Sequence, residues 1–222
     1  MRMRKKKNGA ARIEACGDLL IKDHAALAAD AQYAFPVKRE LHLEIGCGKG
    51  NFSCGMSAAY PDVNFIAMEK VPDVACIALE KAKKSAEERG DNLRFLIGDA
   101  KNLNEWLPEA CVDCIYLNFS DPWPKSGHAK RRLTHRNFLE IYERVLCDGG
   151  ILKLKTDNLG LFEFSLESFA EYGLELLWMT RDLHASEKNE GNVMTEYEAN
   201  FSSQGMPIYS AWVKFHKKEA EK

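Results

Sequence analysis

Leu41-His42-Leu43-Glu44-Ile45-Gly46-Cys47-Gly48-Lys49-Gly50 is the stretch on which the reading of this chain turns. A short apolar run ends in glycines at alternate positions, and an amphipathic segment, Asn51–Tyr60, follows directly. Glycine permits a tight turn from strand to helix and lets a ligand approach the backbone closely. The same alternation continues outward. Leu41–Gly46, Asn64–Glu69, Leu93–Gly98, Val112–Asn118 and Ile151–Thr156 have strand character, while Asn51–Tyr60, Pro72–Arg89, Asn102–Leu107 and Thr134–Leu146 have helical character. Strict alternation predicts an α/β fold, a mostly parallel sheet with helices on both faces. The tail adds a helix around Leu159–Tyr172, a strand near Leu174–Thr180 and a last strand, Ile208–Phe215.

Composition bounds the answer. The chain has 222 residues, 45% hydrophobic and 29% charged, which suits one soluble globular domain with a sizeable core. Its apolar runs are strand-sized, and its basic N-terminus has no apolar segment behind it, so neither a membrane partner nor secretion is expected. Seven cysteines, an odd number without an export signal, are expected to be reduced thiols of a cytoplasmic protein. Residues 1–10 are expected to form a flexible basic arm, and 11–222 a single domain.

The net charge of −2 conceals two basic runs. Arg2, Arg4, Lys5, Lys6 and Lys7 open the chain, and Lys125, Lys130, Arg131, Arg132 and Arg136 fall within a dozen residues that contain no acid. Local positive charge of this kind suits a polyanion, whose phosphates respond to local rather than total charge.

In an open α/β sheet, ligands bind beyond the carboxyl ends of the strands. Gly46, Gly48 and Gly50 follow the first strand, but Asn51 stands where a dinucleotide fingerprint would need glycine, and no phosphate-cradling G-x-x-x-x-G-K-[ST] occurs. Glu44 beside the loop suits a cationic cofactor better than a pyrophosphate. Glu69 ends the second strand at the spacing from which an acid reaches ribose hydroxyls. Asp99 ends the third, where it can cap the next helix. After the fourth strand, Asn118-Phe-Ser-Asp121-Pro-Trp-Pro124-Lys125 holds a large flat side chain between two prolines, a loop able to present a planar base. Cys111 and Cys114 have ligand-like spacing but no second pair, and no metal site is expected.

The Glu44-x-Gly-x-Gly-x-Gly form resembles the first motif of class I S-adenosylmethionine-dependent methyltransferases. With Asn118–Lys125, His128-Ala-Lys-Arg-Arg-Leu-Thr134, Lys155-Thr-Asp157-Asn, and Thr195-Glu-Tyr-Glu198 followed by Phe201, Gly205 and Pro207-Ile-Tyr209, the chain resembles the bacterial tRNA (guanine-N7)-methyltransferases from about residue 40 onward. The resemblance implies a Rossmann-like class I methyltransferase fold with a seven-stranded sheet, S-adenosylmethionine as cofactor, and methylation of N7 of the variable-loop guanine at tRNA position 46. It also implies cofactor binding by Glu44, Gly46, Gly48, Gly50, Glu69, Asp99 and Asp121, with Asp121 also catalytic. Lys125, Asp157, Thr195, Glu196, Tyr197 and Glu198 match tRNA-contacting positions. Arg2, Arg4, Lys5, Lys6, Lys7, Lys130, Arg131 and Arg132 are natural contacts to the tRNA backbone. Ser126 and Gly127 depart from the family, whose members often carry further basic residues there. A monomer or homodimer is expected. Two rival readings are an exocyclic-amine methyltransferase acting on nucleic acid or protein, suggested by the loose likeness of Asp121-Pro-Trp to [DN]-P-P-[YW] loops, and a non-catalytic RNA-binding protein with a degenerate cofactor fold.

Overall fold

The computed structural model describes residues 7–85 and 90–217. Two compact units emerge, Met1–Pro108 with Val193–Glu196, and Glu109–Asn192 with Tyr197–Lys222. The seven strands are ordered β3-β2-β1-β4-β5-β7-β6.

In the first unit, β1 (Glu40–Ile45), β2 (Val63–Glu69) and β3 (Leu93–Ile97) pair in parallel, with Leu43 opposite Ile66 and Ala67 opposite Phe95. Asn64 through Met68 are all buried, as expected of a parallel strand covered on both faces. Four of the unit's helices are α1 (Gly9–Glu14), α2 (His24–Ala29), α3 (Asn51–Ala59) and α4 (Pro72–Lys84), and α5 (Leu103–Trp106) is a single turn. Pro72 opens α4 where its missing N–H costs nothing, and Asp23 caps α2 by accepting from the amides of Ala25 and Ala26 at 3.0 and 2.9 Å. Arg2, Arg4, Lys5 and Lys6 of the expected arm lie outside the described residues. Gly9 and Ala10, counted with that arm on sequence, instead begin α1. Arg12 ties this helix to α4 through a bidentate pair with Glu80, at 2.7 and 2.6 Å.

In the second unit, β4 (Val112–Asn118) pairs in parallel with β5 (Leu146–Thr156), while β7 (Tyr209–Lys214) runs antiparallel between β5 and β6 (Glu175–Thr180). Helix α6 (Arg136–Val145) gives way at once to β5, five residues earlier than the apolar pattern suggests. The register shifts between Val112 and Cys114, so that residues 147–150 bulge out of the pairing. Helix α7 (Leu159–Tyr172) is capped by Asn158, which accepts from the Leu161 amide at 2.8 Å, and stops at Gly173 in the left-handed region. A last helix, α8 (Glu196–Ser202), precedes β7.

Candidate active site

Within the first unit, the glycine loop runs from the end of β1 into α3. Gly46 and Cys47 donate to the carbonyl of Met68 at 2.8 and 2.9 Å, which pins the loop to β2. All three glycines have positive φ, between 56° and 82°. Gly50 is required twice over, because a Cβ there would also stand 2.9 Å from the Cβ of Ala78 on α4. At Gly46 and Gly48 a Cβ would meet nothing within 4 Å, so the loop presents bare backbone to open space.

Carboxylates stand at the loop and at the neighbouring strand ends. Glu44 is buried, 4% exposed, and accepts a short hydrogen bond from the hydroxyl of Ser53. Glu69 accepts from the Gly48 amide at 3.0 Å and from the Val71 amide at 2.8 Å, which fixes its carboxylate beside the loop. Burial pushes the Cys47 thiol well above its ordinary value, and the neighbouring charges of Glu44 and Glu69 push it further. Carboxylates grouped in this way favour a cationic guest. Asp99 does cap the turn after β3, accepting from the Lys101 amide at 3.1 Å, and it pairs with Lys70 at 2.7 Å. Partial burial raises the Asp99 carboxyl, but these hydrogen bonds outweigh it and hold the group below the usual range. Thr195 and Glu196 also belong to this unit, and Glu196 pairs with Lys49 of the glycine loop at 2.7 Å.

Within the second unit, the loop after β4 is conformationally unusual. Phe119 and Trp123 have φ of 53° and 42°, a region that bulky side chains avoid unless their surroundings impose it. The Phe119 amide donates to the Lys155 carbonyl at 2.8 Å. Asp121 and Lys125 are exposed, and Asp157, after β5, is half-buried. Ser126–Arg131 form a short 3-10 helix that carries Lys130 and Arg131 on the surface, with the Arg131 guanidinium 4.7 Å from the centre of the Trp123 ring.

Arg132, expected on sequence to contact the tRNA backbone, turns inward instead. Its Nε donates to the carbonyl of Pro122 at 3.1 Å, its Nη2 donates to the carbonyl of Trp123 at 3.0 Å, and its guanidinium lies 4.2 Å from the centre of the Phe164 ring. Carbonyls and an aromatic face offer it better-ordered partners than solvent does. Glu198, expected to touch tRNA, is fully buried. Its carboxylate receives Lys155 Nζ at 3.1 Å and Asn192 Nδ2 at 2.6 Å, with His184 Nε2 at 3.3 Å. A buried carboxylate needs such compensation, so this side chain is committed to the interior. Tyr197 is the reverse, 64% exposed, with its ring near-parallel to those of Phe119 and Phe201 at centroid distances of 6.4 and 6.5 Å.

Sequence reasoning missed four of these residues, Phe119, His184, Asn192 and Lys155. Phe119 lies inside the loop it singled out, and Lys155 lies inside the Lys155-Thr-Asp157 motif. His184 and Asn192 stand in no motif. Among the described residues no group of histidine, cysteine and acidic side chains could hold a metal ion, and no helix is long and apolar enough to cross a membrane. None of the seven cysteines forms a disulfide.

Residues 38–211 match the family model described as "Putative methyltransferase". Over 215 residues the chain is 47% identical to proteins named tRNA (guanine-N(7)-)-methyltransferase from Limosilactobacillus reuteri, strains DSM 20016 and JCM 1112, covering 97% of this chain and all of each relative. The chain belongs to the tRNA (guanine-N7)-methyltransferase family. Solved structures agree on the fold of this family member. A 16S rRNA methyltransferase, KamB, superposes with a TM-score of 0.63 at 14% identity, covering 86% of this chain and 95% of the other. Phosphoethanolamine N-methyltransferase 2 of Haemonchus contortus, in complex with S-adenosyl-L-methionine, superposes with a TM-score of 0.51 at 10% identity, covering 85% of this chain and 52% of the other. The expected α/β fold and seven-stranded sheet are borne out.

Proposed function

We propose that this chain transfers a methyl group from S-adenosylmethionine to N7 of the variable-loop guanine at position 46 of tRNA, in the cytoplasm. The observation that carries this reading is the near full-length identity to relatives of that name. The residues present fit the cofactor. Bare backbone at Gly46 and Gly48 leaves room for it, the carboxylates of Glu44 and Glu69 suit a cation and ribose hydroxyls, and the hydrogen-bonded Asp99 suits an adenine amino group. When bound, the cofactor supplies an electrophilic methyl on a sulfonium.

Guanine N7 carries an unprotonated lone pair in the ring plane, so no base is needed to free it. The protein's task is to orient the purine and to stabilise the positive charge that develops on it. Positioning of this kind is worth roughly 7–11 kcal/mol of the barrier, and negative charge near the ring adds to it. Asp121 and Asp157 supply that charge, and Asp121 orients the guanine. Tyr197, 64% exposed, offers an aromatic ring on which a base can stack. In an A-form helix the N7 edge lies in a groove too deep and narrow for side chains, so the target must be an exposed loop guanine, and the rest of the tRNA is held by shape and phosphate. Lys125, Lys130 and Arg131, all exposed, serve as phosphate contacts, and Arg2, Arg4, Lys5, Lys6 and Lys7 supply further positive charge for the same polyanion.

The test is incubation of the purified protein with labelled cofactor and unfractionated tRNA, followed by nucleoside analysis. Label in 7-methylguanosine is the expected result. Label on an exocyclic amine, or none, would contradict the proposal.

A further inference from the structure

We infer that Arg132 is a positioning residue for methyl transfer. It fastens the Pro122-Trp123-Pro124 turn, and through it Asp121, rather than gripping phosphate. The inference rests on the reading of Asp121 given above.

The turn has few means of holding itself. Pro122 and Pro124 have no N–H to donate, and Trp123 between them sits at φ 42°, a conformation that persists only where the surroundings over-determine it. What fixes it must come from outside. The Arg132 guanidinium meets two successive carbonyls of the turn, Pro122 at 3.1 Å and Trp123 at 3.0 Å, with two different nitrogens. Its flat face rests on Phe164 of α7 at 4.2 Å, so the loop after β4 is fastened to a helix rather than to another loop. Lys130 and Arg131, its neighbours in the same basic run, are exposed, whereas Arg132 is half-buried. A planar, rigid fork of N–H donors is what two adjacent carbonyls require, and lysine cannot reproduce it. Asp121 is joined directly to Pro122, so any loosening of the first anchored carbonyl passes to the carboxylate one peptide away.

The two roles of an arginine predict opposite results. A phosphate contact acts on affinity and its salt dependence, whereas a positioning contact acts on the rate once tRNA is bound. The experiment compares wild type, Arg132→Lys and Arg132→Ala in the full chain. Single-turnover methyl transfer is measured at saturating tRNA and cofactor. Dissociation constants for tRNA are measured across salt, and amide exchange is followed in the peptide covering residues 119–133. Arg132→Lys is expected to slow the single-turnover rate by about tenfold to a hundredfold, as small misplacements in a site do. Its tRNA affinity should stay within about threefold of wild type, with the salt slope unchanged. Exchange in the peptide should speed up, and methylguanidinium should restore part of the rate of Arg132→Ala. A wild-type rate in Arg132→Lys would overturn the inference, as would a salt slope shallower by about 0.7–0.9 in Arg132→Ala, the signature of one lost phosphate contact. If Arg132→Ala does not fold, Arg132→Lys decides. If wild type makes no 7-methylguanosine, the functional reading fails, and the exchange data still report whether Arg132 fastens the turn.

Discussion

Replacing Lys155 with methionine removes the cation nearest a carboxylate that has no access to water. Glu198 is 0% exposed and Lys155 only 13%, with 3.1 Å between their charged atoms. Breaking a buried pair from one side costs about 3–5 kcal/mol, because a charge is left in a medium that solvates it poorly. Asn192 at 2.6 Å and His184 at 3.3 Å still face the carboxylate in the variant, so the lower end, about 3 kcal/mol, is expected. In a chain of this length, that lowers Tm by roughly 6–12 °C. The assay is scanning calorimetry with urea unfolding as a second probe, on Lys155→Met, Glu198→Gln and the double variant. Neutralising both partners removes the uncompensated charge, so the double variant should recover at least about 2 kcal/mol of what Lys155→Met loses. The reasoning is refuted if Lys155→Met costs less than about 1 kcal/mol, the range of an exposed pair, or if the double variant is no more stable than the single one.

Three further outcomes follow from the site. Tyr197→Ala should weaken tRNA binding by about 1–3 kcal/mol, the usual worth of one stacked base, while Tyr197→Phe keeps most of it. Filter binding would show this, and because Tyr197 is 64% exposed, Tm should not move. Glu69→Ala should weaken S-adenosylmethionine binding about tenfold or more in calorimetry, having lost a charge-assisted acceptor, with tRNA affinity unchanged. An equal loss of both affinities would contradict the assignment. Cys47 should resist iodoacetamide at neutral pH, since burial and the nearby carboxylates hold its thiol in the protonated form, and Cys111, pushed up to about 12 by burial, should resist as well. Rapid labelling of Cys47 in the folded protein, read by mass spectrometry, would argue against this environment.

The strands were legible because parallel strands are buried on both faces and so read as continuous apolar runs, as Phe65 to Met68 illustrate. The glycine loop was legible because its backbone demands are local. Helices α1 and α2 were not, since Gly9–Glu14 and His24–Ala29 are too short and too rich in alanine to show a period. The early start of β5 was hidden by Asp148, Gly149 and Gly150, which look like a turn and in fact form the bulge. At the site, residue type could be read but not direction. Arg132 belongs to a run that looks uniformly solvated, and its partners lie ten residues behind it and on another helix. Glu198 looks like a surface acid because nothing local announces Lys155, Asn192 and His184, which converge on it only after folding.

The central claim is that this chain methylates one guanine at N7 with Asp121 orienting the ring. The most direct test is chemical cleavage of enzyme-treated tRNA at 7-methylguanosine, which reports the atom modified and its position together. Cleavage at position 46 with wild type, its loss in tRNA lacking a guanine there, and a strongly reduced yield with Asp121→Ala at unchanged tRNA affinity are the predicted results. Cleavage elsewhere, or a normal yield from Asp121→Ala, would contradict the account.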